Sequence, residues 1–60
     1  MNLPKDPYML LSFINTQLRD NYPSLADLAS SYGVTAEEIT EKLASAGYRY
    51  DEEKNAFIIE

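Results

Sequence analysis

The nineteen residues 25–43, LADLASSYGVTAEEITEKL, constrain the fold more than any other stretch of the chain. Ser24 precedes the first apolar residue, with Asp27 three positions on. Thr35 precedes the next segment, with Glu38 three positions on. Each pair has the spacing of a capping box, the first in its Asp variant, in which side-chain oxygens take amides that a helix start leaves without partners. Gly33 lies between them and lacks the Cβ that penalises the left-handed backbone of a helix end. The spacing predicts one helix over residues 25–32 with Leu25, Leu28, Ala29 and Tyr32 on its apolar face. It predicts a second over residues 36–46 with Ile39, Leu43 and Ala46 inward, ended at Gly47 as the first is ended at Gly33. Val34 is placed to pack back onto the first of these. Two short helices joined by a glycine turn form a helix-turn-helix.

The flanks supply the rest of a core. Asp6 can cap a helix that Pro7 begins, because the first helical position needs no amide donor. Leu10, Leu11, Phe13, Ile14 and Leu18 then cover one face of a helix over residues 7–20, and Ser12, Asn15, Thr16 and Arg19 take the other side. Pro23 disfavours a helical Tyr22 and closes the segment. Residues 1–5 form an extended lead that Leu3 can anchor. After Gly47 the period changes to two. Strands are expected over residues 48–51 and 56–59, joined by the polar loop Asp51 to Asn55. Tyr48, Tyr50, Phe57 and Ile59 are expected inward, with Ala56 and Ile58 on the opposite face. A two-strand ribbon is marginal alone and must pack on the helices. The expectation is a single domain, 1–60, mainly α with a small β-hairpin.

Composition narrows function mainly by exclusion. The chain has ten acidic and five basic residues and a net charge of -5, the wrong sign for a polyanion partner such as DNA, RNA or anionic lipid. It holds neither Cys nor His, so thiolate metal sites, disulfides and the commonest general base are unavailable. Its hydrophobic fraction of 45% is that of a folded protein rather than a disordered one. The longest nearly apolar run, Tyr8 to Ile14, is far short of the ~20 residues needed to span a bilayer. A cytoplasmic protein without membrane attachment is the expectation.

Leu25-Ala26, Leu28-Ala29, Gly33-Val34-Thr35, Ile39 and Leu43 together resemble the helix-turn-helix signature of small bacterial regulators, and with the terminal ribbon the arrangement resembles a small winged helix. The whole chain also resembles a small family of uncharacterised bacterial proteins of about this length. That likeness is carried by Asn2-Leu3-Pro4-Lys5-Asp6-Pro7-Tyr8-Met9-Leu10-Leu11-Ser12, Asn15-Thr16, Leu18-Arg19-Asp20, Gly47-Tyr48 and Phe57. It implies a one-domain protein and brings no activity with it.

Two functional readings remain. In a DNA reader, side chains at the start of the second helix of the motif enter the major groove. Here those positions carry Ala36, Glu37, Thr40 and Glu41, which would meet phosphates with like charge. The favoured reading is therefore a small acidic protein-interaction module whose surface combines Glu37, Thr40 and Glu41 with Arg49 and Ile58 of the ribbon. A protein partner or a homodimer is expected, since the ribbon carries apolar side chains on both faces and its edges invite strand addition. The competing reading is a winged-helix nucleic-acid binder using Thr40, Lys42, Arg49 and Lys54. Glu38 and Lys42 have the spacing of a helical ion pair. Asp51, Glu53 and Asn55 match positions one, three and five of a calcium loop, but the next position is Ala56 rather than Gly, and a solvated hairpin tip is expected instead. Catalysis, metal and cofactor are not expected. Of seven aromatic residues, Phe13, Tyr32 and Phe57 are assigned to the core, Tyr48 and Tyr50 close it from the ribbon, and Tyr8 and Tyr22 sit half exposed at the ends of the first helix.

Overall fold

The computed structural model describes residues 3–60. Met1 and Asn2 of the expected lead lie outside them. Three helices, α1 (Pro7–Asp20), α2 (Leu25–Tyr32) and α3 (Ala36–Ala44), precede two strands, β1 (Tyr48–Asp51) and β2 (Ala56–Ile59). The mainly helical fold with a C-terminal hairpin is the expected one.

Each helix begins where its cap dictates. The Asp6 carboxylate accepts from the Met9 amide at 3.0 Å, with Pro7 at the first helical position. The Ser24 hydroxyl oxygen accepts from the Asp27 amide at 3.2 Å. The Asp27 carboxylate does not return to the Ser24 backbone as in a full box. It accepts from the Ser24 hydroxyl at 3.1 Å, because an aspartate is one methylene shorter than the glutamate of the full motif. The Thr35–Glu38 box is complete, with the Thr35 amide donating to Glu38 at 3.3 Å and the Glu38 amide to the Thr35 hydroxyl at 3.1 Å. Gly33 takes φ 71°, the Val34 amide reaches back to the Ala29 carbonyl at 3.0 Å, and Val34 packs against the core. The α2–α3 turn is thus closed in the manner of a Schellman motif.

The end of α3 differs from expectation. It stops at Ala44, not residue 46. The Ser45 hydroxyl donates to the Lys42 carbonyl at 2.7 Å, the acceptor that a continued helix would offer to the Ala46 amide. The Ala46 and Gly47 amides turn instead to the carbonyls three residues back, of Leu43 and Ala44, and Gly47 follows at φ 90°. Ala46, expected on the buried stripe, is therefore a half-buried turn residue.

The core is built from Leu10, Ile14 and Leu18 of α1, Leu25, Leu28 and Ala29 of α2, Ile39 and Leu43 of α3, and Phe57 of β2. Leu3, Leu11, Phe13 and Tyr32 pack around it half-buried. α1 is central and touches α2, α3 and β2, while β1 lies against α3. The strands pair antiparallel with Tyr48 opposite Ile59, Arg49 opposite Ile58, Tyr50 opposite Phe57 and Asp51 opposite Ala56. Phe57 is buried as expected, but Ile59 is 72% exposed. It shares the inward face by register, yet lies at the end of the ribbon, where the side chain is left in solvent.

Candidate interaction surfaces

The residues expected to form a partner surface fall into two groups. Glu37 and Glu41 lie one turn apart and exposed on α3, with Thr40 half-buried beside them. Their positions follow from Ile39 and Leu43, which seat the other side of α3 in the core. Among the described residues neither Glu37 nor Glu41 forms a side-chain hydrogen bond or an ion pair, whereas the adjacent Glu38 is engaged in its cap. Arg49 and Ile58 are brought face to face by strand register, on the ribbon face turned away from Tyr50 and Phe57. No hydrogen bond or ion pair among the described residues joins this strand pair to the α3 glutamates.

The nucleic-acid set is more dispersed. Lys42 borders a small hollow of about 170 Å³ with Pro4, Leu10, Val34 and Ile39. Lys54 sits at the hairpin tip, on a separate groove against α1. Arg49 is on neither. The spacing of Glu38 and Lys42 also fails to produce an ion pair. The salt bridge formed among the described residues is Arg19 to Asp20, with Nε and Nη2 each 2.9 Å from a carboxylate oxygen. That hydrogen bond holds the Asp20 carboxyl below its ordinary range and raises Arg19.

The loop with the partial calcium pattern is organised by its own side chains. The Asp51 carboxylate accepts from the Glu53 and Lys54 amides at 2.9 and 3.3 Å, an Asx turn. Asn55 takes a left-handed φ of 51° and points inward. Its amide donates to the carbonyls of Leu18 and Tyr22 at 3.1 and 2.9 Å, and its oxygen accepts from the Tyr50 hydroxyl at 2.6 Å. Tyr50 in turn accepts from the Leu25 amide, a donor at the start of α2 that has no helical partner. Asn55 thus stitches the hairpin to the end of α1 and is turned away from any ion at the loop centre.

Asn15 overturns the expectation of a fully open sheet edge. Its amide donates to the Phe57 carbonyl at 3.1 Å and its oxygen accepts from the Phe57 amide at 2.8 Å. In an antiparallel ladder alternate residues turn these groups outward, so this pair occupies the outer edge of β2 at mid-strand. Sequence placed Asn15 on the polar side of its helix. The signal that could have found it is the stripe Tyr8, Ser12, Asn15 and Arg19 at helical spacing on one side of α1. The same stripe lines the larger groove, about 740 Å³, between α1 and residues 54–56.

The aromatic residues divide as follows. Tyr22 is half-buried, stacks edge-on against Tyr32 and shares a 2.8 Å hydrogen bond with Ser31. Phe13 and Tyr32 also meet edge to face. Tyr8 is 62% exposed and touches Tyr48 by one edge, and Met9 beside it is 64% exposed. Among the described residues no helix is long and apolar enough to cross a membrane, and no group of three or more acidic, His or Cys side chains is arranged to hold a metal.

Comparison with curated proteins and with solved structures found no match. A family model does match, over residues 4–57, which takes in all three helices and the hairpin as far as Phe57. The chain belongs to the family described as a domain of unknown function, DUF4250.

Proposed function

We propose that this chain is a small acidic protein-interaction module that acts by contact and carries out no chemistry of its own. Its partner surface is the outward face of α3, Glu37, Thr40 and Glu41, extended by Arg49 and Ile58 of the ribbon. The observation that carries this reading is the pair Glu37 and Glu41, exposed and unengaged on the helix that a DNA reader would insert into a groove. Such a face suits a basic protein surface and repels a phosphate backbone. Lys42, Arg49 and Lys54 border no common hollow, so a duplex would meet them one at a time. Arg49 and Lys54 on the ribbon could reach one phosphate each, and two such contacts give a salt slope of only about -2, which is weak binding.

A duplex-DNA mobility assay at low salt tests the reading, with the Glu37→Lys/Glu41→Lys variant alongside. The wild type is expected to leave the duplex unshifted and the variant to retard it. Tight wild-type binding that collapses steeply with salt would reverse the assignment in favour of the nucleic-acid binder. Self-association is a separate part of the reading, and sedimentation that returns a monomer at high micromolar concentration removes it. Residence in the cytoplasm completes it, and cell fractionation checks that.

A further inference from the structure

The groove between α1 and the hairpin differs in chemistry from the rest of the molecule. Ten of the sixty residues are acidic, yet none of them lines it, while two of the five cations, Arg19 and Lys54, do. The two asparagines in its wall are already engaged, Asn15 with Phe57 and Asn55 with α1 and Tyr50, so they tie the walls together rather than compete for a ligand. What remains for an occupant is a row of groups that can donate, namely Tyr8, Ser12, Thr16, Lys54 and the N–H groups of Arg19 that its bond to Asp20 does not use, over an apolar strip that includes Leu11. The cations stand at one end and Tyr8 at the other. From Tyr8 to Arg19 the helix rises roughly 16 Å, the length of about five extended residues.

We propose that this groove docks an extended acidic peptide segment of a partner protein. Its carboxylates meet Arg19 and Lys54, and an apolar side chain lies against Leu11 and Tyr8. Charge complementarity selects the occupant. Asp20 bonds to Arg19, and Glu52 and Glu53 precede Lys54, so a continuous polyanion meets flanking carboxylates whereas one or two discrete carboxylates do not. The groove is open to solvent along its length, which favours a chain that lies across it over a small molecule that must be enclosed. This surface is distinct from the α3 face, and either can fail without the other.

The test is an amide chemical-shift titration of the full chain with end-blocked hexapeptide pools. One pool carries two Asp or Glu residues at one end and Leu, Ile or Phe at the other, and a matched pool replaces the acids by Asn and Gln. The expected result is saturable shifts at Ser12, Thr16, Arg19 and residues 54–56 with the acidic pool only. Lys54→Gln is expected to weaken the response about tenfold, and Lys42→Gln, which removes the same charge elsewhere, to leave it unchanged. Lys54 is exposed and Lys42 half-buried, neither ammonium bonds to another described residue, and both variants are expected to give the wild-type spectrum when free. No shifts up to millimolar peptide, equal shifts with the amide pool, equal weakening by the two lysine variants, or shifts confined to α3 would each overturn the proposal.

Discussion

The Asn15 side chain offers the sharpest test of how the fold is held. It makes two hydrogen bonds to one residue, Phe57, which is also the ribbon's one buried core residue. Asn15→Ala removes both bonds and leaves an amide and a carbonyl of a half-covered strand without partners. Two such bonds are worth ~1 kcal/mol each, and the stranded groups add up to ~1 kcal/mol because water reaches them only in part. Alanine returns ~0.6 kcal/mol as the better helix former. The net expectation is a loss of about 2 kcal/mol. A domain of sixty residues holds only ~3–9 kcal/mol in all. Thermal melting followed by circular dichroism should therefore fall by roughly 10 °C. Urea unfolding supplies the free energy, and hydrogen exchange at the Phe57 amide should accelerate.

Asn15→Asp separates donor from acceptor. The carboxylate can still accept from the Phe57 amide, but its second oxygen faces the Phe57 carbonyl, so the folded state favours the protonated acid and raises its pKa above the unfolded value of about 3.9. The folded state then binds more protons than the unfolded one between these two values. Relative to wild type, stability is therefore greatest in acid, falls as pH rises from about 4 through the raised folded pKa, and levels above it. A change under ~0.5 kcal/mol for Asn15→Ala, an unaltered Phe57 exchange rate, or a pH-independent difference for Asn15→Asp would refute the clamp.

Gly33→Val should cost about 1 kcal/mol or more in urea unfolding, and all of it is backbone strain, since a Cβ at φ 71° meets nothing within 4 Å; Gly33→Asn should recover most of the loss. Ile59→Ser should leave stability within ~0.5 kcal/mol, because that side chain is 72% exposed despite its inward register. Arg19→Gln should raise the Asp20 carboxyl back toward the ordinary range in a carbon-detected titration. With Arg19 in place the lowered Asp20 pKa adds stability above the unfolded value and loses it as pH falls through the folded one. Both side chains are exposed, so the melting point at neutral pH should hardly move.

The helix starts and the hairpin were legible because their signals are local. Asp6, Ser24 and Thr35 announce themselves by residue type and by what stands three positions later, and the change of period after Gly47 marks the ribbon. The end of α3 was not legible, because it turns on a competition between the Ser45 hydroxyl and the Ala46 amide for the Lys42 carbonyl, which a general propensity cannot resolve. Asn15 and Asn55 were missed for a different reason. Their partners, Phe57 and Leu18, are 42 and 37 positions away, and a polar residue on a polar face gives no hint that it will be recruited across the fold. The same long range explains the groove, whose two walls come from opposite ends of the chain. Of the candidate surfaces, the exposure of Glu37 and Glu41 followed from helical spacing, whereas the dispersal of Lys42, Arg49 and Lys54 needed the packing of three separate elements.

These clamps bear on function through what they leave free. The ribbon is fastened by α1, through Asn15 at the middle of β2 and Asn55 at the hairpin tip, and by the Tyr50 hydroxyl on the start of α2. None of those bonds uses the outward side of α3. Its contribution to the fold comes from Ile39, Leu43 and the Thr35–Glu38 cap, all of which lie elsewhere on the helix. Glu37 adds only a screened interaction with the helix dipole and Glu41 lies beyond the first turn, so both can change with small effect on stability. The determinants of stability are therefore separable from the surface proposed for recognition. Substitutions at Glu37 and Glu41 should alter partner binding in a protein that still melts near the wild-type temperature, while substitutions at Asn15 or Asn55 should lower the melting temperature and weaken every surface together. A Glu37→Lys/Glu41→Lys protein that unfolds as readily as Asn15→Ala would mean that the α3 face is part of the scaffold and not a surface held in reserve for a partner.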